Sequence, residues 1–129
     1  MNVLLVDDDQ LFLKINKLIF EKQGLKVDVA HSGSEALDYM KTSLPDVVLL
    51  DVMMPNVSGL EVLIKMKSDG KLKQVPVIMI TNLNYELMNR QAKQLGVLGC
   101  LKKDNYTPGE LCTAVRLMVE PQQSRTLKK

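Results

Sequence analysis

Apolar runs and helical patterns alternate along this chain. Val3-Leu4-Leu5-Val6 is a short apolar run with β-branched residues at both ends, closed by Asp7, Asp8 and Asp9. Such a run bounded by polar residues reads as a buried strand. Residues 9–23 then read as a helix that ends at Gly24. Leu11, Phe12, Ile15, Leu18 and Ile19 form its expected core stripe, with Leu13 and Phe20 on the far side. Lys26–Ala30 is a second short strand. Ser32-Gly33-Ser34-Glu35 is a capping box opening a helix to about Lys41. Pro45 precedes a third strand, Asp46–Leu50, and a loop runs from Asp51 to Val57. A second capping box, Ser58–Glu61, opens a helix to about Ser68. Val77–Ile80 is strand four, a helix from about Asn84 to Leu95 ends at Gly96, and Leu98–Leu101 is strand five. Thr107-Pro108-Gly109-Glu110 joins a third capping box to a proline at the first helical position. That last helix is expected to stop near Val119, ahead of Pro121.

Strand and helix thus alternate five times. Strands one, three and four are near-continuous apolar runs, the signature of strands buried on both faces. The expected fold is therefore α/β: a parallel sheet with helices on each side, its topology narrowed by right-handed crossovers. The length, 129 residues, fits one domain. Residues 1–119 form that domain, and 120–129 read as a flexible tail or a truncated linker.

Composition removes several function classes. A net charge of +2 without a dense basic stripe, and the lack of tryptophan, argue against direct nucleic-acid binding. Cys100 and Cys112 sit in apolar contexts without a CxxC, so they read as buried thiols of a reducing compartment. No apolar run approaches the ~18 residues of a membrane span. The first residues lack the charged head and apolar block of a signal peptide, so a cytoplasmic location is expected.

The chemistry lies just past the strands. In open parallel sheets, ligands bind beyond the carboxyl ends of the strands. There the sequence places Asp7, Asp8 and Asp9 after strand one, Asp51 after strand three, Thr81 after strand four, and Lys102 and Lys103 after strand five. Acids converging on one rim repel each other unless a cation sits among them. An all-oxygen donor set favours Mg²⁺ or Mn²⁺ over zinc, and such an ion makes the rim receptive to a phosphoryl group. Lys103 can then neutralise one phosphate oxygen and the Thr81 hydroxyl can donate to another. Asp51 is the natural nucleophile, because carboxylates form aspartyl-phosphates. Asp9 alone reads as a helix cap.

Four segments carry a family resemblance: Leu4–Asp9, Val48–Gly59, Val77–Thr81 and Gly96–Lys103. Together they resemble bacterial two-component response-regulator receiver domains over about residues 2–119, and Asp51-Val52-Met53-Met54-Pro55 through Gly59 is the most specific part. The resemblance implies a flavodoxin-like (βα)5 sheet of order 2-1-3-4-5. It implies phosphorylation of Asp51 by a histidine kinase or histidine phosphotransfer protein. Asp8, Asp51 and the Met53 carbonyl would bind Mg²⁺, with Asp7 acting through water, and Thr81 and Lys103 would contact the phosphoryl group. Such a domain is a signalling phosphoacceptor that assists its own phosphotransfer and dephosphorylation, and is not an enzyme. A phosphorylation-dependent dimer through the face of helix four, strand five and helix five is a further implication. The first helix would meet the helical phosphodonor.

The chain departs from the family pattern in three places. Asn82 follows Thr81 where the family has a small residue, Cys100 replaces an aromatic, and Asp104 replaces a proline after Lys103. Cys100 is too small to fill the space beside Thr81, for which Tyr85 and Met88 are the neighbouring candidates. Met53 and Leu83 flank the site with apolar side chains, which predicts slow hydrolysis of the aspartyl-phosphate. Among rivals, a haloacid-dehalogenase-like phosphatase would use Asp7-Asp8-Asp9 as its nucleophile motif but leaves Asp51 without a role. A flavin carrier would suffer repulsion between its phosphate and the three acids.

Overall fold

The computed structural model describes residues 1–82 and 84–127. Strands β1 (Asn2–Val6), β2 (Lys26–Ala30), β3 (Val47–Asp51), β4 (Val77–Thr81) and β5 (Gly99–Lys102) form one parallel sheet of order 2-1-3-4-5. The helices are α1 (Gln10–Lys22), α2 (Gly33–Met40), α3 (Gly59–Lys67), α4 (Tyr85–Gln94) and α5 (Pro108–Leu127). Short 3-10 turns lie at Leu72–Gln74 and Lys103–Asn105. The flavodoxin-like order and the helices on both faces are as expected.

Alternation along the strands divides the interior into two cores. Leu4, Val6, Val48, Leu50, Val77 and Met79 pack with α2, α3 and α4 through residues such as Ala36, Val62, Met66 and Ala92. Val3, Leu5, Val47, Leu49, Ile78 and Ile80 pack with Leu13 and Phe20 of α1 and Leu111 and Val115 of α5. Every residue of β3 and β4 is buried, which is why these strands must be apolar at consecutive positions.

Side-chain caps set where the helices begin. Ser32 Oγ accepts from the Glu35 N–H at 3.1 Å and Ser58 Oγ from the Glu61 N–H at 3.3 Å. Thr107 and Glu110 form a reciprocal box, with bonds of 3.2 and 2.9 Å. Asp9 caps α1 by accepting from the Phe12 N–H at 3.1 Å, as its cap reading required.

Two expectations are corrected. The core face of α1 is Leu13, Asn16 and Phe20, all buried, whereas Leu11, Ile15 and Leu18 are exposed. The spacing 13, 16, 20 is a proper helical stripe, but a polar residue sits in its middle. Asn16 Nδ2 donates to the Phe12 carbonyl at 2.8 Å, while its Oδ1 is buried without a partner among the described residues. The second correction is the end of α5, which continues past Val119 and Pro121 to Leu127. Proline costs a helix one N–H bond and crowds the carbonyl four residues earlier, but its φ is helical, and Gln122 and Gln123 are fair helix formers. Lys128 and Lys129 of the expected tail lie outside the described residues.

Candidate acidic phosphoryl site at the strand ends

The strands end in step. Val6 pairs in register with Leu50 and with Ala30, Leu50 with Met79, and Thr81 with Lys102. Asp7 therefore leaves β1 beside Asp51, the last residue of β3, and Thr81 ends β4 next to it. Ligand oxygens of Asp7, Asp8 and Asp51 lie within 4.8 Å of one another. Asp7 is fully buried: its Oδ1 accepts from the Asp9 N–H at 2.9 Å and its Oδ2 from Lys103 Nζ at 2.7 Å. Asp8 is exposed at the mouth. Asp51 is buried and its Oδ1 accepts a longer bond, 3.3 Å, from the Met53 N–H.

The loop after Asp51 is pressed down by α3. A Cβ on Gly59 would stand 2.2 Å from the Asp51 carbonyl oxygen, and the Gly59 N–H donates to the Val52 carbonyl at 3.0 Å. Only a residue without a side chain lets the helix start this close to the acid.

Three carboxylates against one ammonium leave this rim strongly negative. Burial, and then the Asp7 charge, push the Asp51 carboxyl up to about 7, with a smaller push from Asp8. Lys103 and the Met53 N–H pull in the opposite direction without cancelling the rise. A cation among the carboxylates would offset their repulsion. The cluster's donors are all oxygens, two of them on buried residues, which suits a hard divalent ion. The acidic cluster that can hold a metal ion is thus present as the sequence indicated.

The outer half of the rim is built from loops. Thr81 is fully buried at the end of β4. Lys103 opens the turn after β5, with its ammonium 4.2 Å from the centre of the Phe12 ring. Asn82 Nδ2 donates to Asp104 Oδ1 at 3.1 Å, and the Asp104 N–H donates to Asn82 Oδ1 at 2.8 Å. The Tyr85 hydroxyl donates to the Cys100 carbonyl at 3.0 Å, and Tyr85 and Met88 both pack on the core that contains Cys100. Tyr85 thus reaches from α4 to the residue that stands where an aromatic was expected. Met53 is half exposed, while Leu83 lies outside the described residues.

The structure therefore gathers Asp7, Asp8, Asp51 and Lys103 directly, and sets Thr81 and the Met53 backbone beside them. Sequence reasoning missed the contact of Phe12 with Lys103 and the pairing of Asn82 with Asp104. For Phe12 a signal existed, since an aromatic in the first turn after the acids lies on the side of α1 nearest the rim. The Asn82–Asp104 pair joins two loops, and no local pattern encodes it.

Comparison with known proteins agrees with this geometry. Residues 3–116 match the family model described as "Response regulator receiver domain". The chain is 39% identical over 107 residues to the polar-differentiation response regulator DivK of Brucella ovis, covering 83% of this chain and 87% of that protein. The receiver domain of the Francisella response regulator 1452 superposes with a TM-score of 0.83 at 28% identity, covering 94% of this chain and 98% of that one. The chemotaxis response regulator CheY4 of Vibrio cholerae gives 0.82 at 26% identity, covering 91% and 97%.

Proposed function

The chain belongs to the family of response regulator receiver domains of two-component signalling, and on that premise we propose that Asp51 is its phosphoacceptor. The observation that carries this assignment is the unequal engagement of the three acids. Both oxygens of Asp7 are held, by Asp9 and Lys103, and Asp8 faces solvent. Asp51 is buried at the end of a central strand and is held by one long bond from Met53 among the described residues. An Asp51 carboxylate oxygen attacks the phosphorus of a phosphohistidine on the donor. The P–N bond breaks, its electrons return to the imidazole, and the phosphoryl group stays on Asp51. Lys103 and the Thr81 hydroxyl donate to the incoming phosphoryl oxygens. Asp7, Asp8, Asp51 and the Met53 carbonyl would hold Mg²⁺, or Mn²⁺, which offsets the negative charge of acid and phosphoryl group as they meet.

The domain acts as a signalling phosphoacceptor that assists its own phosphotransfer and dephosphorylation, rather than as an enzyme. The haloacid-dehalogenase-like alternative finds no support, since the matches are to receivers. No helix among the described residues is long and apolar enough to cross a membrane; the cytoplasm is the proposed site of action. The donor is a histidine kinase or a histidine phosphotransfer protein. It docks on the exposed α1 stripe of Leu11, Ile15 and Leu18, in place of the expected Leu13 and Phe20, which are core residues. After phosphorylation, the face of α4, β5 and α5, with Leu87 exposed on it, is available to a second copy or another partner. The apolar Met53 side chain beside the acid favours a long-lived phosphoryl group.

Intact-mass measurement after acetyl phosphate and Mg²⁺ tests the acceptor. The wild-type chain gains one phosphoryl group and Asp51→Asn gains none; an adduct on Asp51→Asn overturns the assignment. Ile15→Asp should slow transfer from the cognate donor and leave acetyl phosphate labelling intact. Equal rates from the donor before and after the substitution would remove α1 from docking.

A further inference from the structure

We propose that Asn82 and Asp104 are positioning residues that lock the loop after β4 to the turn after β5. Through this clasp, a phosphoryl group on Asp51 is felt in the groove between α1 and α5. The proposal rests on the phosphoacceptor role of Asp51.

The contact has two points. Asn82 Oδ1 accepts from the Asp104 N–H at 2.8 Å, and Asn82 Nδ2 donates to Asp104 Oδ1 at 3.1 Å. One bond would leave a hinge; two bonds from one planar amide fix separation and orientation together. Both residues are exposed, where hydrogen bonds compete with water and add little to folding stability. A contact with so little value for the fold is better explained by where it sits.

That place is specific. Asn82 follows Thr81 and Asp104 follows Lys103, so each clasp residue is bonded to one of the two groups that meet the phosphoryl oxygens. The register pair Thr81 and Lys102 sets their strands side by side. Asn82, Lys103 and Asp104 also line one wall of a groove of about 390 Å³, and Leu11 and Ile15 of α1 line the other. Thr81 is the proposed hydroxyl donor to a phosphoryl oxygen, and a pull on it by a group on Asp51 would be passed to Asn82, the next residue. The clasp passes that pull to Asp104 and the turn Lys103–Asn105, which forms the groove's edge. The Tyr85–Cys100 bond serves a different face, because α4 carries it. The clasp thus sends the state of Asp51 toward the donor side of the molecule.

Amide chemical shifts in the full chain, with and without beryllofluoride and Mg²⁺, test this. In the wild type, shifts are expected at the rim (Asp8, Val52, Met53) and at the groove (Leu11, Asn105, Tyr106). Asn82→Ala removes both bonds and should weaken the response at Asn105 and Tyr106, leaving what Lys103 transmits by itself, while keeping the rim response. Asp104→Asn keeps an acceptor and the N–H and should retain both responses. Asn82→Ala with Asp104→Ala should match Asn82→Ala alone, since one contact can be lost only once. An undiminished response at Asn105 and Tyr106 in Asn82→Ala, additive effects in the double variant, or loss of the response in Asp104→Asn would overturn the clasp. A wild-type rim that ignores beryllofluoride would overturn the phosphoacceptor role itself, and the clasp with it.

Discussion

The two halves of the rim are held by different means. Asp7 follows β1 and Asp51 ends β3, both buried, with α3 resting on the Asp51 carbonyl. Thr81 ends β4, and Asn82 and Lys103 belong to the loops that follow β4 and the edge strand β5, where side-chain pairs do the holding. The central half is rigid and electrostatically costly, so it can fix a reacting oxygen in space. The outer half is tied by bonds that can be exchanged, so it can move when the charge beside it changes. A phosphoryl switch needs both: an acceptor that stays and contacts that follow.

The largest expected effect comes from wedging the central half. Gly59→Val puts a branched side chain where even a Cβ lies 2.2 Å from the Asp51 carbonyl oxygen. A loss of about 3 kcal/mol or more in urea unfolding is expected, together with loss of phosphorylation. A variant of wild-type stability would show that the loop yields, and that the central half is not rigid.

Next comes the charge stored there. The Asp51 carboxyl is raised from 3.8 to about 7 in the fold, so protonation favours the folded state. Its favourable contribution is complete below about 3.8 and lost as the pH rises through about 7. Asp51→Asn should therefore stabilise the protein by on the order of 2–4 kcal/mol at pH 8 and hardly at all at pH 4. Urea unfolding at the two pH values checks this, and an equal effect at both would contradict the assigned cause. Mg²⁺ held by the cluster would relieve the same repulsion. At about 100 times its dissociation constant it should add roughly 2.7 kcal/mol to the wild type. Asp8→Ala, which removes the exposed ligand, should gain much less, as a thermal scan with and without the ion would show.

The smallest effect belongs to the outer half. Phe12→Leu keeps the apolar bulk but removes the ring beneath Lys103, costing about 0.5–1 kcal/mol of ammonium positioning. It should lower the acetyl phosphate labelling rate a few-fold, and Phe12→Tyr should restore it. Unchanged labelling in Phe12→Leu would leave Asp7 as the sole anchor of Lys103.

The central half was also the more legible in the sequence. A buried parallel strand must be apolar at consecutive positions, so an acid at its end stands out, and Asp7, Asp8 and Asp51 could be placed from residue type alone. Thr81 and Lys103 followed from the same rule at β4 and β5. On α1 the rule failed. Ranking positions by hydrophobicity sends Leu11, Ile15 and Leu18 inward, yet the stripe that packs contains Asn16. A surface that awaits a partner can be more apolar than the face that meets the core, and periodicity cannot tell them apart. The Asn82–Asp104 pair was illegible for another reason: it depends on the sheet bringing two loops together across 22 positions.

If the site takes a metal and a phosphoryl group as proposed, the 2.7 Å bond between Lys103 and Asp7 would make it a coincidence detector. The ammonium has two claimants, a buried carboxylate and any anion that arrives at Asp51. An anion that draws Lys103 away strands Asp7 without a counter-charge, unless a cation has come to take its place. A cation that binds Asp7 alone displaces an ammonium that then has no anion to serve. Each ligand therefore lowers the cost of the other, and linkage requires the two enhancements to be equal. One lysine, shared rather than dedicated, would let the domain answer more strongly to metal and phosphoryl group together than to either alone.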